Sequence, residues 1–421
     1  MRPRVLFYVQ HLLGIGHIKR ASLLVRAWLE AGLDVSVVSG GEPVVQFGFG
    51  AARLIQLPAL KARDSAFSGL MDAQGNEIDA AFKQRRKQQL LAALDQVQPQ
   101  LLVIENYPFG RRQLRWELLP LLERAQQLSS PPRIVCSVRD ILQQRSPERI
   151  DETVALVERC FDAILVHGDS GFIPLQYSFP QAQAFADKLH YTGYVTEALT
   201  GQAQPRSDPA RAPAGSQVAP QDPQDDVAEV LISAGGGAVG FALMRTCLEL
   251  LIRLEQVTEL NGTALNVAES GRGMRWRFLL GPNLSEQQQR QLRDLGAQID
   301  PASADVIMEP LRADFSALLR RCRLSISQGG YNTLMDLLAA RCAALVVPFE
   351  GSGETEQLAR SERLAQQGYC QMLREADLNP ENLLRAINVS LSAPRPETLG
   401  LDCQGATHSA QILWQLVHAD A

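Results

Sequence analysis

Short apolar runs alternate with longer stretches of helical periodicity along nearly the whole chain. In the first half the runs are Val5–Val9, Val35–Ser39, Leu101–Glu105, Arg133–Ser137 and Ala163–His167. Between them lie Ile18–Ala31, with Leu23, Leu24, Ala27, Trp28 and Ala31 at helical spacing, then Asp79–Val97 and Arg115–Leu128. In the second half the runs are Glu229–Ser233, Arg275–Leu280, Val306–Glu309, Leu324–Ser327, Ala343–Val347 and Tyr369–Met372, separated by helical patterns at 240–260, 285–295, 311–321, 333–340 and 355–367. Strands that are apolar throughout, rather than at every second position, are covered on both faces; alternating with helices, they indicate parallel sheets. The pattern predicts an α/β chain with two Rossmann-like, doubly wound parallel-sheet domains facing a cleft. Ligands of such sheets bind beyond the carboxyl ends of the strands, where the strand order reverses.

One segment breaks the pattern. Gly201–Asp226 holds five prolines, is rich in Gln, Ala and Asp, and has Val218 as its only large aliphatic residue. It cannot bury a core and reads as a flexible linker. The expected plan is a first domain at 1–200, the linker at 201–226, a second domain at 227–400, and a C-terminal helix at 401–421 that returns to the first domain.

Composition narrows the function. The 421 residues carry a formal charge of −5, without the basic surplus of a duplex-binding protein, so no nucleic-acid partner is expected. Seven scattered cysteines form no C-x-x-C pair and read as buried free thiols of a reducing cytoplasm. No uncharged apolar stretch approaches the ~18 residues of a membrane span. The basic cluster Lys83-Gln-Arg85-Arg86-Lys87 lies on a predicted helix. It reads first as a solvated face and second as a patch for an anionic membrane surface. Arg320-Arg321-Cys-Arg323 is a second basic cluster.

Three loops carry candidate chemistry. The first strand runs into Gln10-His11-Leu12-Leu13-Gly14-Ile15-Gly16-His17, with a helix from about Ile18. Glycines let backbone amides approach a ligand, and the helix start favours an anion. The third glycine of the dinucleotide fingerprint is missing, and Val37-Val38-Ser39-Gly40 offers no acidic residue to a ribose, so NAD is disfavoured. The second loop, Ala234-Gly235-Gly236-Gly237-Ala238, precedes another helix and reads as a phosphate cradle; no Gly-Lys-Ser/Thr follows, so it is not a Walker loop. The third block is 324–369. Here Gly329 and Gly330 turn the chain, Asn332 or Thr333 is placed to cap the next helix, and Asp336 falls in its first turn. Pro348-Phe349 and a polar loop then lead to Glu356-Gln357 at the start of another helix. An acidic residue and an amide suit ribose or sugar hydroxyls. The second reading makes Asp336 a solvated helix carboxylate offsetting the dipole, and the glycine loops plain turns.

Taken together, these blocks resemble the glycosyltransferases of two-Rossmann-domain (GT-B) architecture. The most similar group contains the bacterial UDP-N-acetylglucosamine transferase of peptidoglycan synthesis. Gly14-Ile15-Gly16-His17-Ile18 resembles that group's N-terminal Gly-His-Ile loop. Gly235-Gly236-Gly237-Ala238 resembles its second glycine loop, with glycines in place of Ser-Gln. Ser327-Gln-Gly-Gly-Tyr-Asn-Thr with Asp336 resembles its nucleotide-holding turn and helix, where Glu is usual in place of Asp336. Pro348-Phe349 and Glu356-Gln357 resemble the loop that holds donor-sugar hydroxyls. A further bacterial branch of predicted glycosyltransferases shares Pro108-Phe109-Gly110-Arg111 and Ser137-Val-Arg-Asp140.

The resemblance implies transfer of a hexosyl group from a nucleotide-sugar, UDP-linked, to an acceptor hydroxyl, with inversion. The first domain would take the acceptor and the second the donor. The donor set is then Gly14, Gly16, Gly235, Gly236, Gly237, Ala238, Gly329, Gly330, Asn332, Thr333, Asp336, Glu356 and Gln357. No D-x-D occurs and no His/Asp cluster has ligand spacing, so neither metal nor cofactor is expected. His17 is the first candidate for the base that deprotonates the acceptor and Glu105 the second. Arg111, in the loop after Glu105, is expected on the acceptor side. The acceptor classes are lipid-linked, glycan and small-molecule. The implied location is cytoplasmic, with peripheral contact at the inner face of the membrane as an extension. Two alternatives stand beside this reading: a UDP-sugar 2-epimerase, and a nucleotide-sugar-binding protein without catalysis.

Overall fold

The computed structural model describes residues 2–12, 16–44, 47–64, 68–143, 146–196, 228–234, 240–261, 274–281, 284–312, 314–351, 355–393 and 400–418. The expected linker at 201–226, Gly14 and the Gly235–Ala238 loop lie outside them. The chain divides into two units. The first is Met1–Thr196 with Glu354–Glu356 and Thr398–Ala421; the second is Glu197–Gly353 with Gln357–Glu397.

The first unit is built on a parallel sheet in the order β3-β2-β1-β6-β7-β8-β9. Its strands are β1 Arg4–Val9, β2 Asp34–Ser39, β3 Arg53–Gln56, β6 Leu101–Glu105, β7 Arg133–Arg139, β8 Ala163–His167 and β9 Leu189–Tyr191. Val5 pairs with Val35 of β2 on one side and Leu101 of β6 on the other. The strand order therefore reverses at β1, and loops leaving the carboxyl ends of β1 and β6 meet there. A short antiparallel hairpin, β4 Leu60–Ala62 and β5 Leu70–Asp72, stands outside the sheet.

Helix α1, Gly16–Glu30, buries Ile18, Ala21, Leu24, Val25 and Trp28; of the expected stripe Leu24 and Trp28 are buried, whereas Leu23 and Ala27 are half-buried and Ala31 is exposed. Trp28 is fully buried against Phe7, with ring centroids 4.9 Å apart. Burial of such a side chain contributes about 1.5–3 kcal/mol. The C-terminal helix Gly405–His418 packs on α1: Trp28 Nε1 donates to Ser409 Oγ (2.8 Å), and Trp414 Nε1 donates to the Ala31 carbonyl (2.9 Å). Helix α2, Ala80–Val97, starts at Asp79, whose side chain accepts from the Phe82 amide. Helix α3 is Arg115–Gln126, and α4, Pro147–Cys160, fills a stretch for which the apolar pattern predicts no element.

The basic cluster on α2 is solvated only in part: Arg85 is exposed and Lys83 and Lys87 are half-buried. Arg86, at its centre, is wholly buried. Its Nε donates to Glu117 of α3 (2.8 Å), and its other nitrogens reach Gly40 O, Pro58 O, Gln10 and the Tyr8 hydroxyl. Buried guanidinium is tolerated because its donors are matched by acceptors. The result is a polar clamp at the carboxyl ends of β1 and β2.

The second unit repeats the plan with strand order β12-β11-β10-β13-β14-β15, all parallel. The strands are β10 Glu229–Ser233, β11 Arg275–Leu280, β12 Asp305–Pro310, β13 Leu324–Ser327, β14 Ala344–Val346 and β15 Gln371–Met372. The order reverses between β10 and β13, where Ser233 lies beside Ser327. Helix α5, Phe241–Asn261, and the helix Pro380–Ser392 cover this sheet. Arg277 crosses β11 as a buried charge held by Glu229 (3.0 Å) and Glu309 (2.6 Å). All seven cysteines are free thiols. Among the described residues, no helix is long and apolar enough to cross a membrane.

Candidate functional site

In the first unit a cluster of charged groups sits at the sheet's switch point. Gly16 and His17 open α1, the next element after β1, and Glu105 is the last residue of β6. Adjacency of β1 and β6 brings these ends together, so His17 Nδ1 lies 2.6 Å from Glu105 Oε1. One helical turn on, Arg20 donates Nη2 to the same oxygen at 2.7 Å. From the loop after β6, Arg111 Nη2 reaches Glu105 Oε2 at 3.3 Å. The Glu105 side chain is 1% exposed, Arg20 3%, Arg111 8% and His17 20%. The imidazole is thus the member most open to solvent.

Electrostatics assigns the protons. Burial alone pushes the Glu105 carboxyl up, but His17, Arg111 and Arg20 outweigh it and hold the group below the usual carboxylate range. An ionised carboxylate only accepts, so Nδ1 of His17 carries the hydrogen and Nε2 the lone pair. Burial is the main reason the His17 pKa falls, to about 3; the Glu105 anion opposes it, and Arg111 and Arg139 add to it. A neutral imidazole with a free Nε2, oriented by an anion behind it, is a competent proton acceptor.

The floor of the cluster is also polar. Ser137 Oγ is 2.7 Å from His167 Nε2, and His167 Nδ1 is 2.9 Å from Thr192 Oγ1. The Thr192 hydroxyl donates to the Gly193 carbonyl (2.8 Å). It therefore accepts from His167 Nδ1, leaving Nε2 to accept from Ser137. Burial holds the His167 pKa well below its ordinary value, so this chain is a neutral brace beneath Glu105.

In the second unit the turn after β13 comes against the helix Glu356–Gln366. A side chain at Gly329 would meet Ser361 Oγ and come within 3.4 Å of the Gln357 carbonyl, so only glycine allows this approach. Gln357 Oε1 accepts from the Phe349 amide at 3.2 Å, which turns the amide nitrogen of Gln357 outward from that bond. Glu356, the first residue of its helix, is buried. Gln328, which the sequence reading passed over, is buried beside Gly240 at the foot of α5. The hydroxyls of Ser233, Ser327 and Ser361 are buried without hydrogen-bond partners among the described residues.

Three expectations for this block change. The helix runs Tyr331–Ala340 and is capped by Gly330 with no side-chain bond, so neither Asn332 nor Thr333 is its cap; both lie in its first turn. The double glycine lets the helix begin two residues earlier than a side-chain cap would. Asp336 accordingly falls in the second turn rather than the first. It is 5% exposed, which removes it from the role of a solvated dipole carboxylate. In the first unit the sequence reading missed His11 and Arg20. The signal for Arg20 was its place three residues after His17 on a helix, which puts both on one face.

Comparison with known proteins fits this layout. Residues 235–399 match the glycosyltransferase family 28 C-terminal domain. The chain is similar to the MurG group. A UDP-N-acetylglucosamine--N-acetylmuramyl-(pentapeptide) pyrophosphoryl-undecaprenol N-acetylglucosamine transferase of Thermotoga neapolitana is 25% identical over 95 residues, 23% of this chain and 28% of that protein. The transferase of the same name from Anaeromyxobacter sp. strain K is 32% identical over 81 residues, 19% of this chain and 21% of that protein. The chain thus matches 28% or less of the length of these two curated relatives. Over the whole chain, the crystal structure of Acinetobacter baumannii MurG superposes with a TM-score of 0.55 at 15% identity, covering 98% of this chain and 100% of that one. The UDP-GlcNAc 2-epimerase of Methanocaldococcus jannaschii gives 0.58 at 10% identity, covering 98% and 99%. At such identities the likeness is one of fold, and it establishes the GT-B architecture that the alternating pattern and the glycine loops anticipate.

Proposed function

We propose that the chain is a glycosyltransferase that moves a hexosyl group from a UDP-sugar to an acceptor hydroxyl by a single inverting displacement, with His17 as the base. The observation that carries the reading is the His17–Glu105 pair at the switch point of the first sheet, in a GT-B chain whose second unit matches a glycosyltransferase domain. The acceptor oxygen attacks the anomeric carbon while its proton passes to His17 Nε2. The bond from that carbon to the diphosphate oxygen breaks, and its electron pair leaves with UDP. Glu105 holds the imidazole by Nδ1 and balances the imidazolium that forms. Positive helix ends and backbone amides suit the charge that develops on the departing diphosphate. The donor set keeps Gly329, Gly330, Asn332, Thr333, Asp336 and Gln357 of the second unit, with Glu356, Gly16 and the glycine loops Gly14 and Gly235–Ala238 as further contacts. In this reading Asp336 meets the ribose hydroxyls.

A metal-free displacement is part of the proposal. The chain has no D-x-D, and the described residues hold no cluster of three His, Cys, Asp or Glu suited to a metal ion. The test is donor turnover across a panel of UDP-hexoses, with EDTA and with magnesium. Release of UDP at equal rates under both conditions, abolished by His17→Ala, supports the reading. Absence of UDP release with every donor and acceptor class refutes it.

A further inference from the structure

Two features of Arg111 are unexplained by a role as scaffold. The first is its backbone. Arg111 sits at φ 58°, ψ 23°, the left-handed region that side chains other than glycine rarely adopt. Asn106, at the other end of the same loop, is also left-handed, with φ 61°. Gly110 between them packs so close to the Asn106 side chain that a Cβ has no room. The loop therefore fixes the backbone from which Arg111 reaches Glu105.

The second feature is incomplete pairing. Glu105 is one carboxylate facing two nearly buried guanidiniums. Arg20 takes the short bond to Oε1, while Arg111 has, among the described residues, a single 3.3 Å bond to Oε2. Its Nε is buried with no hydrogen-bond partner among the described residues. A guanidinium presents five donors in a rigid fork shaped for a carboxylate or phosphate. A nearly buried guanidinium with one long bond and an idle Nε is half-satisfied, which is costly unless an anion completes it. The His11 ring, buried against Gly41 and within electrostatic reach of Arg111, also has an unpartnered nitrogen, Nδ1.

We propose that Arg111 recognises an oxyanion carried by the acceptor, a phosphoryl or carboxylate group, and so selects an anionic acceptor and seats it beside His17. The proposal rests on the transferase reading. The glycine loops of the proposed donor set, Gly14, Gly16 and Gly235–Ala238, carry no guanidinium of their own, and the proposal gives Arg111 to the acceptor. A coupling to chemistry follows. Arg111 is among the groups that depress the basicity of His17. An anion seated on Arg111 offsets that charge, so the correct acceptor strengthens the base that deprotonates it.

The experiment titrates the full-length protein with inorganic phosphate and, separately, with acetate, at constant ionic strength, by calorimetry with and without saturating UDP. The expected result is a site for phosphate or acetate that survives UDP saturation. Arg111→Gln weakens it at least tenfold, Arg111→Lys weakens it less, and UDP affinity stays within twofold in both variants. The preferred probe names the acceptor's anion. The proposal is overturned if no such site exists in UDP-saturated protein, if Arg111→Gln binds as the unchanged protein does, or if UDP weakens in parallel, which assigns Arg111 to the donor. If the Gln variant does not fold, the Lys variant carries the same comparison. Failure to bind UDP at all counts against the transferase reading, and the titration without UDP still reports on Arg111.

Discussion

Replacing Glu105 by Gln removes one charge and almost no volume. Two oxygens are in use: Oε1 accepts from His17 and Arg20, and Oε2 accepts from Arg111. The Gln oxygen takes the Oε1 position, because two donors converge there. The amide nitrogen then faces Arg111, donor against donor. Two guanidiniums that are 3% and 8% exposed lose the anion they share. Breaking a buried ion pair costs about 3–5 kcal/mol; the lower figure applies here, because the imidazole side of the cluster is partly open. At about 2–4 °C per kcal/mol for a domain of this size, the melting temperature should fall by about 6–12 °C. Catalysis should suffer separately. The Gln carbonyl still orients His17, but no anion balances the imidazolium, so UDP release should slow by about 10²–10³-fold while UDP affinity is kept. Calorimetric melting and a coupled UDP-release assay read the two effects. Turnover within threefold of the unchanged protein, with the stability loss present, would make Glu105 a structural ion only. No change in either would refute the cluster itself.

Other consequences are as direct. His17→Ala should lower turnover by about 10²–10⁴-fold with nucleotide affinity nearly unchanged; parallel loss of affinity and rate would make His17 a phosphate contact instead. Because the base acts neutral and its pKa is depressed toward about 3, turnover should stay flat as pH falls from 8 through 6.5 and drop only at lower pH, where His17 takes a proton; a fall centred near 6.5 would contradict the assigned environment. Asp336→Ala should weaken UDP binding by about 1–3 kcal/mol if a charged bond to ribose is lost, and Asp336→Asn by less; equal affinity in both, by calorimetry, would end the ribose role. Arg86→Met should destabilise by about 3 kcal/mol or more, since it strands the buried Glu117 carboxylate, whereas Arg85→Ala on the same helix should stay within about 0.5 kcal/mol; equal effects in thermal melts would mean the clamp is not formed.

Both sheets were legible because parallel strands buried on two faces leave uninterrupted apolar runs: Leu101–Glu105, Ala163–His167 and Glu229–Ser233 are strands over those very residues. Partly exposed edge elements left no such trace. Strand β3, Arg53–Gln56, is mostly exposed, and α4 is amphipathic with a polar majority, Pro-Glu-Arg-Ile-Asp-Glu, at its start. Periodicity also could not separate Arg86 from its neighbours Arg85 and Lys87. Its burial depends on Glu117, Gln10 and two carbonyls supplied from distant parts of the chain. At the candidate site, His17 stood out because it follows a glycine turn at a helix start, and Glu105 because it ends an apolar run. Arg20 and His11 were hidden because their meaning lies in which carboxylate or guanidinium they face, a relation created only when β1 and β6 become neighbours. The cap at Asn332 or Thr333 was misread because side-chain capping preference was given weight over two glycines, which start the helix sooner.

The most direct test of the transferase reading is proton NMR of an α-linked UDP-hexose incubated with the full-length protein, with water or a hydroxylated acceptor as nucleophile and EDTA present. The reading predicts disappearance of the donor's anomeric signal, free UDP, and a product that first appears as the β anomer, all lost in His17→Ala. A UDP-sugar inverted at carbon 2 with the nucleotide still attached would assign the chain to epimerisation, and a donor that binds yet stays intact with every nucleophile would contradict catalysis altogether.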